Sequence, residues 1–174
     1  MRDWTPFGHA RQVELVRSLK QKLLGEVSTM REMRGGNNGG NANDRADLQA
    51  CGAAKAMVES QLIDAEALLA RIRIAPTPRQ TKRGQVGLEA RIRYLDNSSR
   101  HKRGMEESCL IGGKGESDDD EILRTYSCDS PLGRALVNAE VGDERTVTTP
   151  SGDTYDIKIV SFAIPAQKKV AQAA

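Results

Sequence analysis

GGNNGGNANDRADL, residues 35–48, decides how this 174-residue chain is read. Four glycines and four asparagines make the stretch a poor helix interior and a good turn, because glycine accepts either sign of φ and asparagine bonds its own neighbouring backbone. Before it, Val13, Val16, Leu19, Leu23, Val27 and Met30 recur at steps of three or four, which predicts a helix with one apolar stripe over 9–34. After it, Leu48, Cys51, Lys55, Val58, Leu62, Ala65, Leu69 and Ile72 alternate steps of three and four. That is a coiled-coil repeat with one polar member, and it predicts a second helix from about 44 to 74. Two such helices around a glycine-rich turn pack antiparallel, and some thirty residues reach about 45 Å. Asp44 and Asp47 open the second helix three residues apart. They share a face and complement the helix dipole. A hairpin with carboxylates near its tip reads as a probe.

Outward from the hairpin the pattern changes. Residues 1–8 read as a short lead-in, with Thr5 as helix cap and Pro6 in the first turn. Ala75-Pro76-Thr77-Pro78 ends the second helix. From Gln85 the period becomes two: Leu88–Tyr94 alternates apolar and polar, as a half-buried strand does. Asp96–Glu107 is a polar loop carrying Arg100–Arg103, and Ser108–Gly112 is a second strand. Lys114–Glu121, KGESDDDE, reads as a solvated acidic loop. Leu123–Ser127 is a short strand or turn, Ser130-Pro131 caps a helix to about Asn138, and 145–149 with 155–162 forms a hairpin. The expectation is an α+β chain: a coiled-coil hairpin over 1–75, a linker at 76–84, a small, mostly antiparallel sheet domain with one short helix over 85–163, and a loose tail at 164–174.

Composition narrows the chemistry. Lys+Arg 26 against Asp+Glu 24 gives a net charge of +2, and aromatics are 3%. A near-balanced charge does not by itself argue for nucleic acid, and few aromatics leave little platform for stacking bases. Three scattered cysteines and two histidines, with no CxxC, support neither a disulfide framework nor a zinc site. Nothing in the N-terminal stretch reads as a signal peptide, and no apolar run approaches the roughly 20 residues needed to span a bilayer. The expected setting is a reduced cytoplasm, away from membranes.

The segment SPLGRALVNAEVGDERTVTTPSGDTYDIKIVSF, Ser130–Phe162, resembles the C-terminal domain of the bacterial GreA/GreB transcription factors. That family shows Ser-Pro-hydrophobic-x-Arg-Ala-Leu, an acid-Val-Gly-Asp turn, a strand ending Thr-Pro-x-Gly and a last alternating strand, in the order found here. The helical hairpin, the proline linker and the strand VGLEARIRYLD extend the resemblance over roughly 5–162. It implies an FKBP-like domain that docks on RNA polymerase at the rim of the secondary channel, through Asp129, Ser130, Pro131, Leu132 and Arg134. It implies a monomer whose coiled coil enters the channel, reaching the transcript 3′ end indirectly. The factor would be no enzyme and would carry no cofactor of its own. Its tip carboxylates would act with the Mg²⁺ of the polymerase active site.

Here the tip departs from the family's G-D-L-x-E-N-x-E-Y. Gly40–Leu48 reads GNANDRADL, so the first acid becomes Asn41, the second falls on Asp44 and Asp47 stands for the later one. Hard cations favour carboxylates over amides, so the expectation is channel binding with weak or absent stimulation of transcript cleavage. The alternative is a GreA-like cleavage stimulator using Asp44 and Asp47. An FKBP-type prolyl isomerase and a plain coiled-coil adaptor are the remaining classes. The first would need a pocket lined by aromatics, for which the sheet domain offers only Tyr94, Tyr126, Tyr155 and Phe162, and the second would need only the heptads.

Overall fold

The computed structural model describes residues 2–35, 42–97, 101–118 and 123–165, with 34–35 and 42–45 described by backbone alone. The elements are β1 (Arg2–Trp4), α1 (Pro6–Gly35), α2 (Ala42–Leu69), β2 (Ile72–Ile74), β3 (Glu89–Tyr94), β4 (Glu106–Gly112), β5 (Arg124–Ser127), α3 (Pro131–Leu136), β6 (Glu144–Thr148) and β7 (Thr154–Ala163). They form two units: His9–Ile72, and the first eight residues together with the chain from Arg73 onward.

In the helical unit α1 and α2 pack antiparallel. Gln12 Nε2 donates to Ala65 O at 2.9 Å near one end, and Cys51 Sγ lies 3.9 Å from Glu26 O toward the other. Val16, Leu19, Val58 and Ala65 are the buried seam, flanked by Leu23, Leu62 and Leu69. The repeat read in α2 is the buried stripe: Leu48 through Leu69 are all buried or half-buried. Lys55 fits because its stem lies along the seam while its ammonium sits 3.3 Å from Glu59. The α1 stripe differs at one step. Val13 is 43% exposed, and Gln12 takes the inner position, 7% exposed, because its amide finds the Ala65 carbonyl where a small side chain leaves room.

The second helix stops at Leu69, short of the expected 74. Ile72–Ile74 instead pairs with Arg2–Trp4 in a two-stranded sheet. Ala75 N–H donates to Trp4 O at 2.7 Å and Arg73 meets Asp3 at 3.4 Å. Residues 1–8 are therefore not a mere lead-in; they fold with the C-terminal unit.

That unit is built on a five-stranded sheet in the order β5-β4-β3-β7-β6, antiparallel except for β4 beside β5. The period-two reading of β3 holds: Ala90, Ile92 and Tyr94 are buried, Arg91 and Arg93 exposed. The buried face joins Ile111 of β4, Ile157 and Ile159 of β7 and Val147 of β6, covered by Leu132 and Leu136 of α3. Each fully buried aliphatic side chain contributes roughly 1.5–3 kcal/mol. On the solvent face Glu106 lies 2.8 Å from Arg91, and it also accepts from Arg93. Those guanidinium groups, Arg93 foremost, hold its carboxyl below the usual range.

The loop after β4 departs most from the sequence reading. Glu116, inside the run expected to be solvated, is 2% exposed. Its Oε2 accepts from Thr5 N–H at 2.9 Å and Gly113 N–H at 2.8 Å, and its Oε1 from the Thr5 hydroxyl. A buried carboxyl needs donors, and the N-terminal segment supplies two of these three. Thr5 Oγ1 also accepts from Gly8 N–H at 3.1 Å, so the expected cap is present. Trp4 Nε1 donates to Lys114 O at 3.1 Å. The approach is close enough to require glycine. A Cβ on Gly113 would stand 1.8 Å from Asp3 O, and one on Gly8 2.1 Å from Glu116 Oε1.

Two outcomes follow for stability. Val58→Asp should cost several kcal/mol by placing a charge in the seam, whereas Met57→Asp, at a position 64% exposed, should be nearly neutral; urea unfolding followed by circular dichroism distinguishes them. Glu116→Gln puts an amide NH₂ among donors and should cost about 1–3 kcal/mol, read as a lower melting temperature and faster proteolysis of the first residues.

Candidate functional site

β5 ends at Ser127, paired with Gly112 of β4, and Cys128 N–H donates to Gly112 O at 2.9 Å. The chain turns there: Ser130 N–H donates to Ser127 O at 2.9 Å. Ser130 then caps α3, in extended conformation (φ −72°, ψ 160°), accepting from Gly133 N–H, with Pro131 in the first turn where no amide is needed. The Ser-Pro pattern thus does locally what the sequence predicts.

The five residues expected at a docking surface are not equivalent. Asp129 and Arg134 are exposed, and Ser130 and Pro131 are half-buried. Leu132 is 4% exposed and belongs to the core. Its neighbours there are apolar, and it packs α3 onto the sheet. Asp129 Oδ1 accepts from Ser127 Oγ and, at 3.3 Å, from Gly115 N–H. The Ser127 hydroxyl, then the Gly115 amide, with Lys114 nearby, hold its carboxyl below the ordinary aspartate range. Sequence reasoning missed Ser127 and Gly115: the only local sign is a serine two residues before an aspartate at a strand end.

At the other candidate site, Asn41 lies outside the described residues. Asp44 and Asp47 fall in the first turns of α2, and Asp47 is exposed. Among the described residues no group of three or more His, Cys, Asp or Glu is arranged to hold a metal ion.

The aromatic set is occupied internally. Tyr94 OH donates to Glu107 Oε2 at 2.6 Å and Tyr126 OH to Oε1 at 3.1 Å. The His101 ring stacks on Tyr94, centroids 3.9 Å apart and 7° from parallel, and Tyr155 lies 5.7 Å from Tyr94. Phe162 is a core residue, 6% exposed. Burial first, then Glu107, pushes Tyr126 up to about 12 and raises Tyr94 as well.

With this geometry in place, comparison with known proteins is informative. Residues 80–163 match the family described as "Transcription elongation factor, GreA/GreB, C-term". This stretch of the chain is therefore similar to the GreA/GreB C-terminal domain. The chain is 32% identical over 103 residues to transcription elongation factor GreA of Mycolicibacterium vanbaalenii, covering 59% of this chain and 60% of that one. GreA of Mycobacterium tuberculosis is 31% identical over the same length and shares. The chain thus spans 60% of the length of these relatives. Among solved structures, GreA factor homolog 1 (Gfh1) of Thermus thermophilus aligns over 92% of this chain and 97% of its own, at 20% identity and a TM-score of 0.39. Thermus aquaticus Gfh1 aligns over 92% and 96% at 20% identity, with a TM-score of 0.40. The matched range holds the Ser130-Pro131 cap and all five strands of the larger sheet.

Two further outcomes can be checked. Leu132→Glu should unfold the C-terminal unit, because it buries a charge, while Arg134→Ala should leave its melting temperature within about a degree of the original, as expected for an exposed side chain. Tyr94 and Tyr126 have folded-state values raised above the ordinary ~10, so their contribution is complete below that pH and is lost as pH rises through the folded values. Stability should fall from about pH 10 upward, and absorbance titration should show these two phenols ionising above the ordinary tyrosine range.

Proposed function

We propose that this protein is a transcription elongation factor that binds RNA polymerase and acts on its active site rather than having one of its own. The observation that carries the reading is the GreA/GreB match over 80–163, in which Ser130 and Pro131 cap a short helix beside an exposed Asp129. The docking surface would be Asp129, Ser130, Pro131 and Arg134 at the rim of the secondary channel. The α1–α2 hairpin would enter the channel.

The tip sets the expected activity. Asp47 is exposed and, with Asp44, would offer oxygen ligands of the kind Mg²⁺ prefers. Asp44 and Asp47 would be the residues that help hold such an ion, whose chemistry there would be activation of water for cleavage of backtracked RNA. Asn41 in place of an acid removes one charge from that set. The reading is therefore binding with feeble cleavage stimulation and net modulation of paused complexes. The isomerase reading is disfavoured by His101 lying on Tyr94, where a prolyl ring would need the aromatic face.

Pull-down with core polymerase and a transcript-cleavage assay on stalled complexes test this. The unaltered protein should co-purify with polymerase and cleave weakly. Asn41→Asp should raise cleavage by roughly 10²-fold, and Asp44→Ala should abolish what remains with binding unchanged. Robust cleavage by the unaltered protein would favour the GreA-like stimulator; failure to bind polymerase would overturn the proposal.

A further inference from the structure

The turn at Gly113–Glu116 faces two ways. Through Glu116 it holds Thr5. Through the Gly115 N–H it reaches Ser127 Oγ at 2.8 Å and Asp129 Oδ1 at 3.3 Å. Ser127 Oγ in turn lies against Asp129 Oδ1 and 2.8 Å from Gly113 O. A hydroxyl has one proton to give, and a carboxylate competes for it better than a neutral carbonyl. Ser127 is 5% exposed, out of a partner's reach, while Asp129 is on the surface. Two donors converging on one oxygen select an orientation for the carboxylate before any encounter.

We infer that Ser127 is a positioning residue for docking: with the Gly115 amide it fixes the Asp129 carboxylate to receive a cationic side chain of the partner. This rests on the polymerase-docking reading above. A pre-oriented carboxylate pays less rotamer entropy on binding and presents a fixed plane to a guanidinium fork. Ser127 itself makes no contact with the partner, so its effect must pass through Asp129. A role confined to holding the turn together would not depend on what stands at 129.

The test measures affinity of the full-length protein for core polymerase, with melting temperature recorded for each variant. Asp129→Asn should weaken binding roughly ten- to a hundredfold, and Ser127→Ala by roughly tenfold. The double variant should bind no more weakly than Asp129→Asn alone, since Ser127 would have nothing left to position. Asp129→Glu keeps the charge but carries it past the two donors, so it should bind about as weakly as Ser127→Ala. Because position 129 is exposed, this variant decides the matter even where Ser127→Ala folds poorly. By NMR, Ser127→Ala should move the Asp129 carboxyl titration upward, toward the ordinary aspartate value. Additive losses in the double variant, or Asp129→Glu binding like the unaltered protein, would overturn the inference. So would Asp129→Asn binding normally, with polymerase docking itself intact. No binding by the unaltered protein would remove the docking reading and this inference together.

Discussion

A buried carboxyl group tolerates few arrangements, and Glu116 has found one made of neutral donors. Its three bonds come from residues 111 positions and three positions away. Removing any one leaves a polar atom in a place water does not reach, at a cost of about 1–3 kcal/mol. Everything around it is arranged to let the backbones meet. Gly113 lies under Asp3, Gly8 lies under the carboxylate itself, and the Trp4 indole N–H donates a hydrogen bond to the Lys114 carbonyl. The two-stranded sheet of β1 and β2 completes the clamp, so the first eight residues belong to the unit that resumes at Arg73.

The helical unit is held differently. Its buried seam is four small or aliphatic side chains, and its ion pairs are half-exposed: Lys20–Glu66 and Lys55–Glu59 keep a third or more of each side chain in solvent. Such pairs contribute at most about 1 kcal/mol each. The sheet unit, by contrast, concentrates branched aliphatics and Tyr94 in one cluster under α3. Local opening should therefore begin in the hairpin, the part that the proposed function asks to enter another protein.

How much of this could be read from the sequence depended on distance along the chain. The α2 repeat was legible because each stripe residue announces itself to its neighbours three or four positions on. The Ser130-Pro131 cap was legible for the same reason. Gln12 replacing Val13 was not, because its merit is a carbonyl on the opposite helix. The early end of α2 was hidden because Ile72–Ile74 carries branched residues that suit either a heptad or a strand, and the partner strand lies at the far N-terminus. Glu116 was misread for the strongest version of this reason: within KGESDDDE nothing distinguishes the acid that is buried from its neighbours. In the segment Asp129–Arg134, the pattern showed the helix cap but could not say that Leu132 belongs to the core or that the Ser127 hydroxyl bonds Asp129.

The Thr5–Glu116 contact also imposes an order on synthesis. Ribosomes add about 5–20 residues per second, so Thr5 is made several seconds or more before its acceptor exists. The hairpin can close meanwhile, since its two helices are adjacent in sequence, but β1 gains its partner strand only after the second helix is complete and gains Glu116 later still. A nascent chain halted in that interval carries a tryptophan strand with nowhere to bury its ring. The β1 segment thus completes its contacts only when a residue 111 positions further along the chain has been made.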